Sequence, residues 1–600
     1  MRFVSVACAL VAGSLGLAAV SLAENAPKPE GSSVPAASGS ASMASSAGSS
    51  ASATPPAQSA PAPRVKVPFS VNARNRQRPA VVPPPVATVP PASKEPEPIE
   101  GGSDRRDGFA DPNAGADGKP VAGYHSGRFF LRDRYDYFRL FVGGRLHVDS
   151  NHYVGPGVAD AGLKSSVVVR RARIELGGEV WGSWQWLFEA EFTPTAVDNP
   201  DGTEQHAAAR AGQEPVAATA RYAPVQTPQY RAQLQNVYVN YAPSLLLNLQ
   251  VGQFNLPFTM ENSTSSNATT FLERSLPVRA FAVPEVRDVG VMLWGGVDKS
   301  LAFWSLGLFN GDGMNRPNAD NRFMTAGRVF VRPLARTRGA LEKLQFGLSF
   351  KYASRDKNRV AYDVPRMSTQ GNYAFWSPRF TDALGRTVHI IPCGAEAGIA
   401  AELRVPFKRF EGRSEFVYQT VRTREGVDGF QTVYSERFGA MTGWAYYLQL
   451  SYWLLGSPKV VGDPGDASPP RIDLAKADSG IPMQGLELAI KWEQLKATYA
   501  SASRGGVADV GAIDGAVRVN AFSAGVNYWA SRHLRLSINY ALSMFPSSEP
   551  ATPTTSSGPA WSSAQRAVAP GNTLDPGVND SARDGAHSLH ELSTRVGLAF

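Results

Sequence analysis

The most constraining feature of this sequence is its last segment, His590 to Phe600, which reads HELSTRVGLAF. Every second residue from Leu592 onward is apolar or threonine, whereas the residues between them include Arg595. Because successive side chains of a β-strand point to opposite faces, this alternation predicts a strand with one apolar and one polar face. A closed barrel can pair both edges of such a terminal strand, because its last strand seals against its first.

Similar alternating segments of about ten residues begin at Phe138 and recur to the end of the chain. In one of them, Trp186 and Phe188 lie on the face opposite Glu189 and Glu191. Sixteen strands are predicted, over residues 138–148, 167–176, 184–192, 234–241, 245–254, 289–297, 301–309, 325–332, 344–353, 395–404, 412–421, 444–454, 485–500, 517–529, 533–543 and 589–600. An even number of antiparallel strands is typical of bacterial outer-membrane barrels.

The segments that connect these strands alternate in length. Gaps after even-numbered strands are mostly short, namely 177–183, 242–244, 298–300 and 530–532. Gaps after odd-numbered strands are long, namely 149–165, 193–233, 255–288, 354–394 and 544–588. Short periplasmic turns opposite long outer loops are the pattern of an outer-membrane barrel. The gap 455–484 is long where a short turn is expected, and is either an unusual turn or an error in the strand count.

The first part of the chain has a different composition from the rest. Residues 1–23 combine Arg2, an apolar run and a small-residue cleavage site, which predicts a removable signal peptide and export to the cell outer membrane. Residues 24–122 are rich in Ala, Ser and Pro, which predicts a disordered periplasmic linker. Its basic residues between Arg64 and Arg78 either contact cell-wall or lipid anions or are simply solvated. Residues 123–600 are then the barrel.

Other classes of protein fit the sequence less well. No run of about twenty apolar residues follows position 25, which excludes a helical membrane span there. Loss of the signal peptide leaves Cys393 as the single cysteine, so neither an internal disulfide nor a Cys-based metal site is expected. A barrel enzyme would need a histidine beside a nucleophile or acid at the rim, and most of the eight histidines fall in predicted loops. We therefore expect no enzymatic activity, no cofactor and no nucleic-acid partner.

Charged residues occupy the face opposite the apolar one on many predicted strands. A charge that faces lipid at mid-depth costs about 2–4 kcal/mol, so these residues are expected to line the lumen. Basic rings favour anions, and acids in the same wall weaken that preference. The candidate anion-path residues are Arg139, Arg145, Arg171, Arg173, Arg274, Arg279, Arg287 and Lys351.

The third outer loop, from Asn255 to Asp288, differs from a typical surface loop. It contains Phe271, Leu272, Leu276, Phe281 and Val283, which would be poorly placed in water. We expect this loop to fold into the barrel, pack on its wall and narrow the pore. The alternative is a surface loop held by ion pairs.

Several motifs follow one another in a fixed order along the chain, namely Val169-Arg-Arg-Ala-Arg-Ile174, Val251-Gly-Gln-Phe-Asn-Leu-Pro-Phe258, Phe271-Leu-Glu-Arg-Ser275, Arg287-Asp-Val-Gly290 and Phe309-Asn-Gly-Asp-Gly313. With them, residues 123–600 resemble the phosphate- and polyphosphate-selective O/P porins of the Gram-negative outer membrane. The resemblance implies a trimeric sixteen-stranded barrel with an inward-folded loop and an arginine-lined path. One departure is Leu455-Gly456-Ser457, where the family usually has a Thr-Gly-Glu step.

These observations predict an all-β protein, a sixteen-stranded antiparallel transmembrane β-barrel with an inward-folded third loop, preceded by a disordered linker. Its predicted function is a passive channel for small anions, and the resemblance implies phosphate or polyphosphate. Expected partners are outer-membrane lipid, further copies in a homotrimer, and peptidoglycan through the linker. Two alternatives stay open: a general non-selective porin, and a structural outer-membrane anchor tethered through the linker.

Overall fold

The structure is a computed structural model, and it describes residues 120–125, 128–155, 165–193, 232–282, 286–297, 301–337, 339–356, 364–365, 367–371, 373–376, 379–381, 387–427, 432–457, 484–500, 513–545, 552–553 and 588–600. The predicted signal peptide lies outside the described residues, as do positions 24–119 of the predicted linker. The fold below is that of the described residues.

The described chain is almost entirely β-structure. Its strands are β1 (Ala122–His125), β2 (Arg128–Arg132), β3 (Phe138–Val154), β4 (Ser166–Val180), β5 (Trp184–Glu191), β6 (Gln233–Tyr241), β7 (Asn248–Asn255), β8 (Arg287–Val297), β9 (Ala302–Phe309), β10 (Met324–Val331), β11 (Gln345–Ser354), β12 (Met367–Ser368), β13 (Ala374–Trp376), β14 (Arg379–Thr381), β15 (Thr387–Phe407), β16 (Phe410–Val427), β17 (Thr432–Leu455), β18 (Gly485–Ala500), β19 (Ile513–Trp529), β20 (Leu534–Met544), β21 (Thr552–Pro553) and β22 (Ser588–Ala599). A short helix, α1 (Leu276–Phe281), interrupts the connection between β7 and β8. Among the helices in the described ranges, none has the length and apolar character needed to span a membrane.

Sixteen of these strands, β3–β11, β15–β20 and β22, form one closed antiparallel barrel. Closure occurs where β22 pairs with β3, for example at Arg595 opposite Asp149. The sixteen predicted strands are therefore confirmed. The strands β17 and β18 are direct neighbours, with Leu455 opposite Leu486. The predicted numbering of the strands is therefore correct on both sides of the gap 455–484.

The three longest strands extend furthest beyond the lengths that the sequence pattern predicts. They are β15, β16 and β17, with 21, 18 and 24 residues. Their extra length forms a hairpin in which Val427 lies opposite Thr432, beyond the predicted ends of both strands. The sequence pattern misses these ends because the hairpin rises past the region where one face must be apolar.

The two faces of the barrel wall have opposite chemistry. Along β18, Ile490 is 50% exposed, whereas the neighbouring Lys491 and Glu493 are at most 1% exposed. Leu488 and Trp492 share the exposed face. The outward face is therefore apolar and the lumen face is polar, as the alternation predicts.

The end of the chain seals the barrel. Backbone hydrogen bonds of 2.9 and 3.0 Å join Gly144 to Phe600 in both directions. Beyond this point the same edge of β3 pairs with β2, where Phe129 lies opposite Val142. The hydroxyl of Tyr124, in β1, lies 2.5 Å from a ring nitrogen of His533 in the adjacent turn. The hairpin of β1 and β2 thus covers the part of β3 that the last strand leaves unpaired.

Substituting Gly144 with valine should weaken this seam. A Cβ atom at Gly144 would lie 2.7 Å from the ring of Phe600 and 2.8 Å from the carbonyl oxygen of Arg173. Overpacking of this kind costs about 1–3 kcal/mol. We expect the unfolding temperature of Gly144→Val in detergent to fall. A matched Gly339→Val variant, where a Cβ would meet no atom within 4 Å, should stay close to the parent. Equal unfolding temperatures would contradict the seam described here.

Candidate functional site

The segment 256–282, between β7 and β8, is tied to the lumen face of distant strands. The backbone N–H groups of Met260 and Glu261 donate to the carboxylate of Glu415 on β16, at 2.6 and 2.9 Å. The N–H of Leu276 donates to Glu493 on β18 at 2.6 Å. A buried N–H group without a partner costs about 1–3 kcal/mol, so these two carboxylates fix the course of the segment.

Apolar contacts complete this attachment. Leu276 and Phe281 of α1 belong to the same buried cluster as Val417, Leu495 and Val519 of the barrel wall. Helix α1 contacts β16, β17 and β18. The Phe281 ring lies over β17 where Gly443 has no side chain, since a Cβ there would come within 2.7 Å of the ring. Helix α1 therefore covers apolar inward side chains of the wall, among them Val417, Leu495 and Val519.

Helix α1 begins where its sequence favours it. Ser275 occupies the N-cap position and Pro277 lies in the first turn, where its missing N–H needs no partner. The carboxylate of Glu261 accepts hydrogen bonds from both the backbone N–H and the hydroxyl of Ser275. Glu261 thereby ties the start of the segment to the start of the helix.

The other side of the segment meets a cluster of arginines. The carboxylate of Glu273 accepts hydrogen bonds from Arg170 at 3.1 Å, Arg171 at 3.1 Å and Arg595 at 3.0 Å. Arg595 also donates two bonds to Asp149, at 2.6 and 2.7 Å. Burial raises the pKa of Glu273, but the three positive charges outweigh burial and hold it well below its ordinary value. This carboxylate is therefore ionised at neutral pH.

Arg170 is a cluster member that strand alternation does not identify. The register between β3 and β4 shifts, so that His147 lies opposite Arg171 while Val148 lies opposite Val169. Arg170 is the extra, unpaired residue of this bulge. Arg170 and Arg171 are both buried. The only sequence signal is the Arg-Arg pair itself, which no strict period of two can place on one face.

A second group of arginines lies next to the first, on β3 and β4. Arg145 donates to Glu175, and Arg173 donates to Glu189 at 2.8 Å and to Glu191. The carboxylate of Glu189 is also 3.5 Å from Arg145. Each guanidinium group is therefore shared among carboxylates instead of forming one isolated pair.

Two predicted residues lie on the segment itself. Arg274 donates to the backbone carbonyls of Glu261 at 3.3 Å and Thr264 at 3.1 Å. Burial lowers the pKa of Arg274; Glu261 and Glu273 raise it, and Arg173 and Arg145 lower it further. The side chain is therefore within electrostatic reach of the arginines on β3 and β4.

Arg279 donates to the carbonyl of Arg274 at 2.7 Å and to that of Ser368. Arg287, the first residue of β8, donates to the side-chain oxygen of Asn236 at 3.3 Å. Arg287 is also close enough to Arg145, Arg173 and Arg274 for their charges to act on it.

The eight predicted path residues thus divide into two sets. Five of them surround one region between the segment and strands β3 to β8, namely Arg145, Arg171, Arg173, Arg274 and Arg287. Arg279 instead reaches the carbonyl of Ser368 on β12. Arg139 instead pairs with Asp136 and Glu179 beside a short turn. Lys351 pairs with Glu396 at 3.0 Å, and its ammonium group lies 5.6 Å from the centre of the Phe258 ring. The structure therefore places Arg139, Arg279 and Lys351 outside this group of five.

Removing the two carboxylates that hold the segment should expose it to protease. In a Glu415→Ala/Glu493→Ala variant, three backbone N–H groups lose their acceptors, which costs about 1–3 kcal/mol for each unpaired group. We expect trypsin to cleave after Arg274 or Arg279 in this variant and not in the parent protein in detergent. A Glu342→Ala variant in the turn before β11 provides the control. Identical resistance in all three proteins would contradict the attachment.

Comparison with known proteins gives the family. The profile of the family described as phosphate-selective porin O and P matches residues 141–556 of the 600. No curated protein matches the sequence.

Several solved outer-membrane proteins are similar in structure. The loop L8 deletion mutant of OmpT from Vibrio cholerae aligns with a TM-score of 0.39 and 10% identity, over 78% of this chain and 100% of that one. The trimer form of in-vitro folded OmpT aligns with a TM-score of 0.38 and 9% identity, over 78% and 100%. The high-pH structure of Pseudomonas putida OprB aligns with a TM-score of 0.34 and 8% identity, over 77% and 94%. Because the family match covers most of the chain, this protein belongs to the phosphate-selective porin O and P family and is an outer-membrane β-barrel channel.

Proposed function

We propose that this protein is a passive channel for small anions, with phosphate or polyphosphate as the solute. The observation that carries the proposal is the convergence of arginines from β3, β4, β8 and the segment 256–282 on one region of the lumen. Arg274 is only partly buried there, and 8% of the Arg173 side chain is exposed. Guanidinium groups offer paired donors that match phosphate oxygens.

The segment 256–282 is proposed to act as an inward-folded constriction. Its apolar residues and its bonds to Glu415 and Glu493 lie on one side, against β16 to β19. Its charged residues Glu273 and Arg274 lie on the other side, towards the arginines of β3 and β4. A solute is then confined to the gap on the arginine side.

The neighbouring carboxylates suit conduction as well as folding. An ion must bind strongly enough to enter the path and weakly enough to leave it. Glu175, Glu189 and Glu191 share the guanidinium groups of Arg145 and Arg173 and thereby weaken each one as an anion site. We infer a series of weak sites instead of one tight site.

Replacing Arg274 should reduce anion selectivity. Arg274 donates to backbone carbonyls, so Arg274→Gln removes its positive charge and leaves the carboxylate contacts of Arg145 and Arg173 in place. We expect the anion-to-cation permeability ratio, from the reversal potential in a salt gradient, to fall about two- to fivefold, the effect of on the order of 0.5–1 kcal/mol.

The matched control is Lys408→Gln/Arg409→Gln, which removes two charges from the turn between β15 and β16. This control should retain the parent ratio. An unchanged ratio in Arg274→Gln would remove Arg274 from the path.

Phosphate should compete with chloride for the same path. Because a guanidinium group binds phosphate oxygens in pairs, phosphate should reside longer than chloride at each site. Millimolar phosphate added to a chloride solution is therefore expected to reduce the single-channel chloride current. A chloride current that phosphate leaves unchanged would favour the general non-selective porin instead.

Four broader assignments rest on the sequence and the family. We propose a homotrimer in outer-membrane lipid, with a cleaved signal peptide at 1–23, a linker at 24–122 and the barrel at 123–600. The carbonyl of Pro120 accepts a hydrogen bond from Arg132 at 2.9 Å, beside the seam. Pro120 therefore lies on the side of the short turns, and this position supports the proposed contact between linker and peptidoglycan.

A further inference from the structure

Two positive side chains lie next to each other on the outward face of the barrel. Lys496 of β18 is directly opposite Arg518 of β19 in the strand register. Both belong to the set of alternate residues that includes Ile490 and Trp492, which are exposed and apolar. Like charges directly opposite one another destabilise a sheet unless a counter-charge lies between them.

The position of this pair along the strands places it at one boundary of the membrane. Gly485, where β18 begins, lies on the side of the short turns, and Lys496 is eleven residues further along. With a rise of about 3.3 Å per residue and a tilt of about 40°, this corresponds to about 28 Å. The apolar band of an outer-membrane barrel is about 25 Å tall, so the pair lies just above it, on the side of the long loops.

Aromatic side chains mark the same level. Trp444 of β17 is directly opposite Lys496, on the other side from Arg518. The rings of Trp444 and Tyr446 stack with their centres 6.1 Å apart and 12° between their planes. Trp and Tyr concentrate at the level of lipid headgroups, where one end of the ring is apolar and the other is wet.

Among the wall side chains that the structure describes, none supplies a counter-charge at this position. Wherever the structure describes the side chain of an acidic residue in a barrel strand, that side chain faces the lumen, as Glu487 and Glu493 do on β18. Within the same described part of the chain, neither Lys496 nor Arg518 forms an ion pair with an acid. We therefore infer that a negative group from outside the chain neutralises the pair.

We propose that Lys496 and Arg518 form a binding site for the phosphate group of a lipid headgroup in the outer leaflet. The ammonium and guanidinium groups contact the phosphate oxygens, and Trp444 packs against the lipid beside them. A second copy of this chain is a poorer occupant, because the acidic side chains that the structure describes in the barrel strands all face the lumen. The site lies on the lipid face and is independent of the solute that passes through the lumen.

Binding of a phosphorylated lipid to the pure protein tests this site. The probe is lipid A with both phosphates, compared with the same lipid after dephosphorylation, and binding in detergent micelles is measured by native mass spectrometry. The parent protein should bind the phosphorylated form about tenfold more tightly, the effect of one good charge-assisted contact. A Lys496→Gln/Arg518→Gln variant should bind both forms equally.

Two controls keep the test interpretable. Lys408→Gln/Arg409→Gln removes the same charge from the opposite rim of the same wall and should keep the parent preference. The single-channel conductance of Lys496→Gln/Arg518→Gln should equal that of the parent, which shows that the barrel is folded. The proposal is overturned if the parent shows no preference for the phosphorylated lipid, or if the variant keeps that preference. A variant with unchanged lipid binding but a lower oligomeric mass would assign the pair to an interface between copies.

Discussion

Charge pairing inside the barrel is the interaction on which the rest of this structure depends. The outward face must be apolar to meet lipid, so charged side chains are directed to the lumen. A charge removed from water is tolerated only when it is paired and hydrogen-bonded. The lumen meets this requirement with shared contacts, such as the three arginines on Glu273 and the two carboxylates on Arg173. The contacts that stabilise the wall are therefore also those that we propose for the solute path.

The segment 256–282 uses this chemistry on both of its sides. Glu415 and Glu493 accept its backbone N–H groups on one side, and Glu273 reaches the arginines on the other. Between these polar contacts, α1 covers inward side chains that are apolar, among them Val417 and Leu495. A solvated lumen would leave these side chains exposed to water. The segment therefore explains why these wall residues are apolar, and the wall explains why the segment contains apolar residues.

The sequence alone predicted the barrel because its requirement is simple and repeated. One face of each strand must be apolar, and the resulting alternation identified sixteen strands. The structure confirms all sixteen. The contacts of the lumen were harder to predict, because they depend on local departures from that rule. Strand alternation did not identify Arg170 as a cluster member, because a bulge places it in the same cluster as Arg171. Lys351 pairs with Glu396 instead of joining the arginines. The sequence did not indicate this pair, because Glu396 lies 45 positions away and only the sheet brings it close.

The most direct test of this account is the hydrogen exchange of residues 256–282 in the folded protein in detergent. The amides of Met260, Glu261 and Leu276 donate to buried carboxylates, so their exchange should be slow. We expect peptides that cover this segment to exchange at rates comparable with those of the strands β16 and β18. Complete exchange within seconds, while the strands remain protected, would show that the segment is free of the wall and would contradict the proposed constriction.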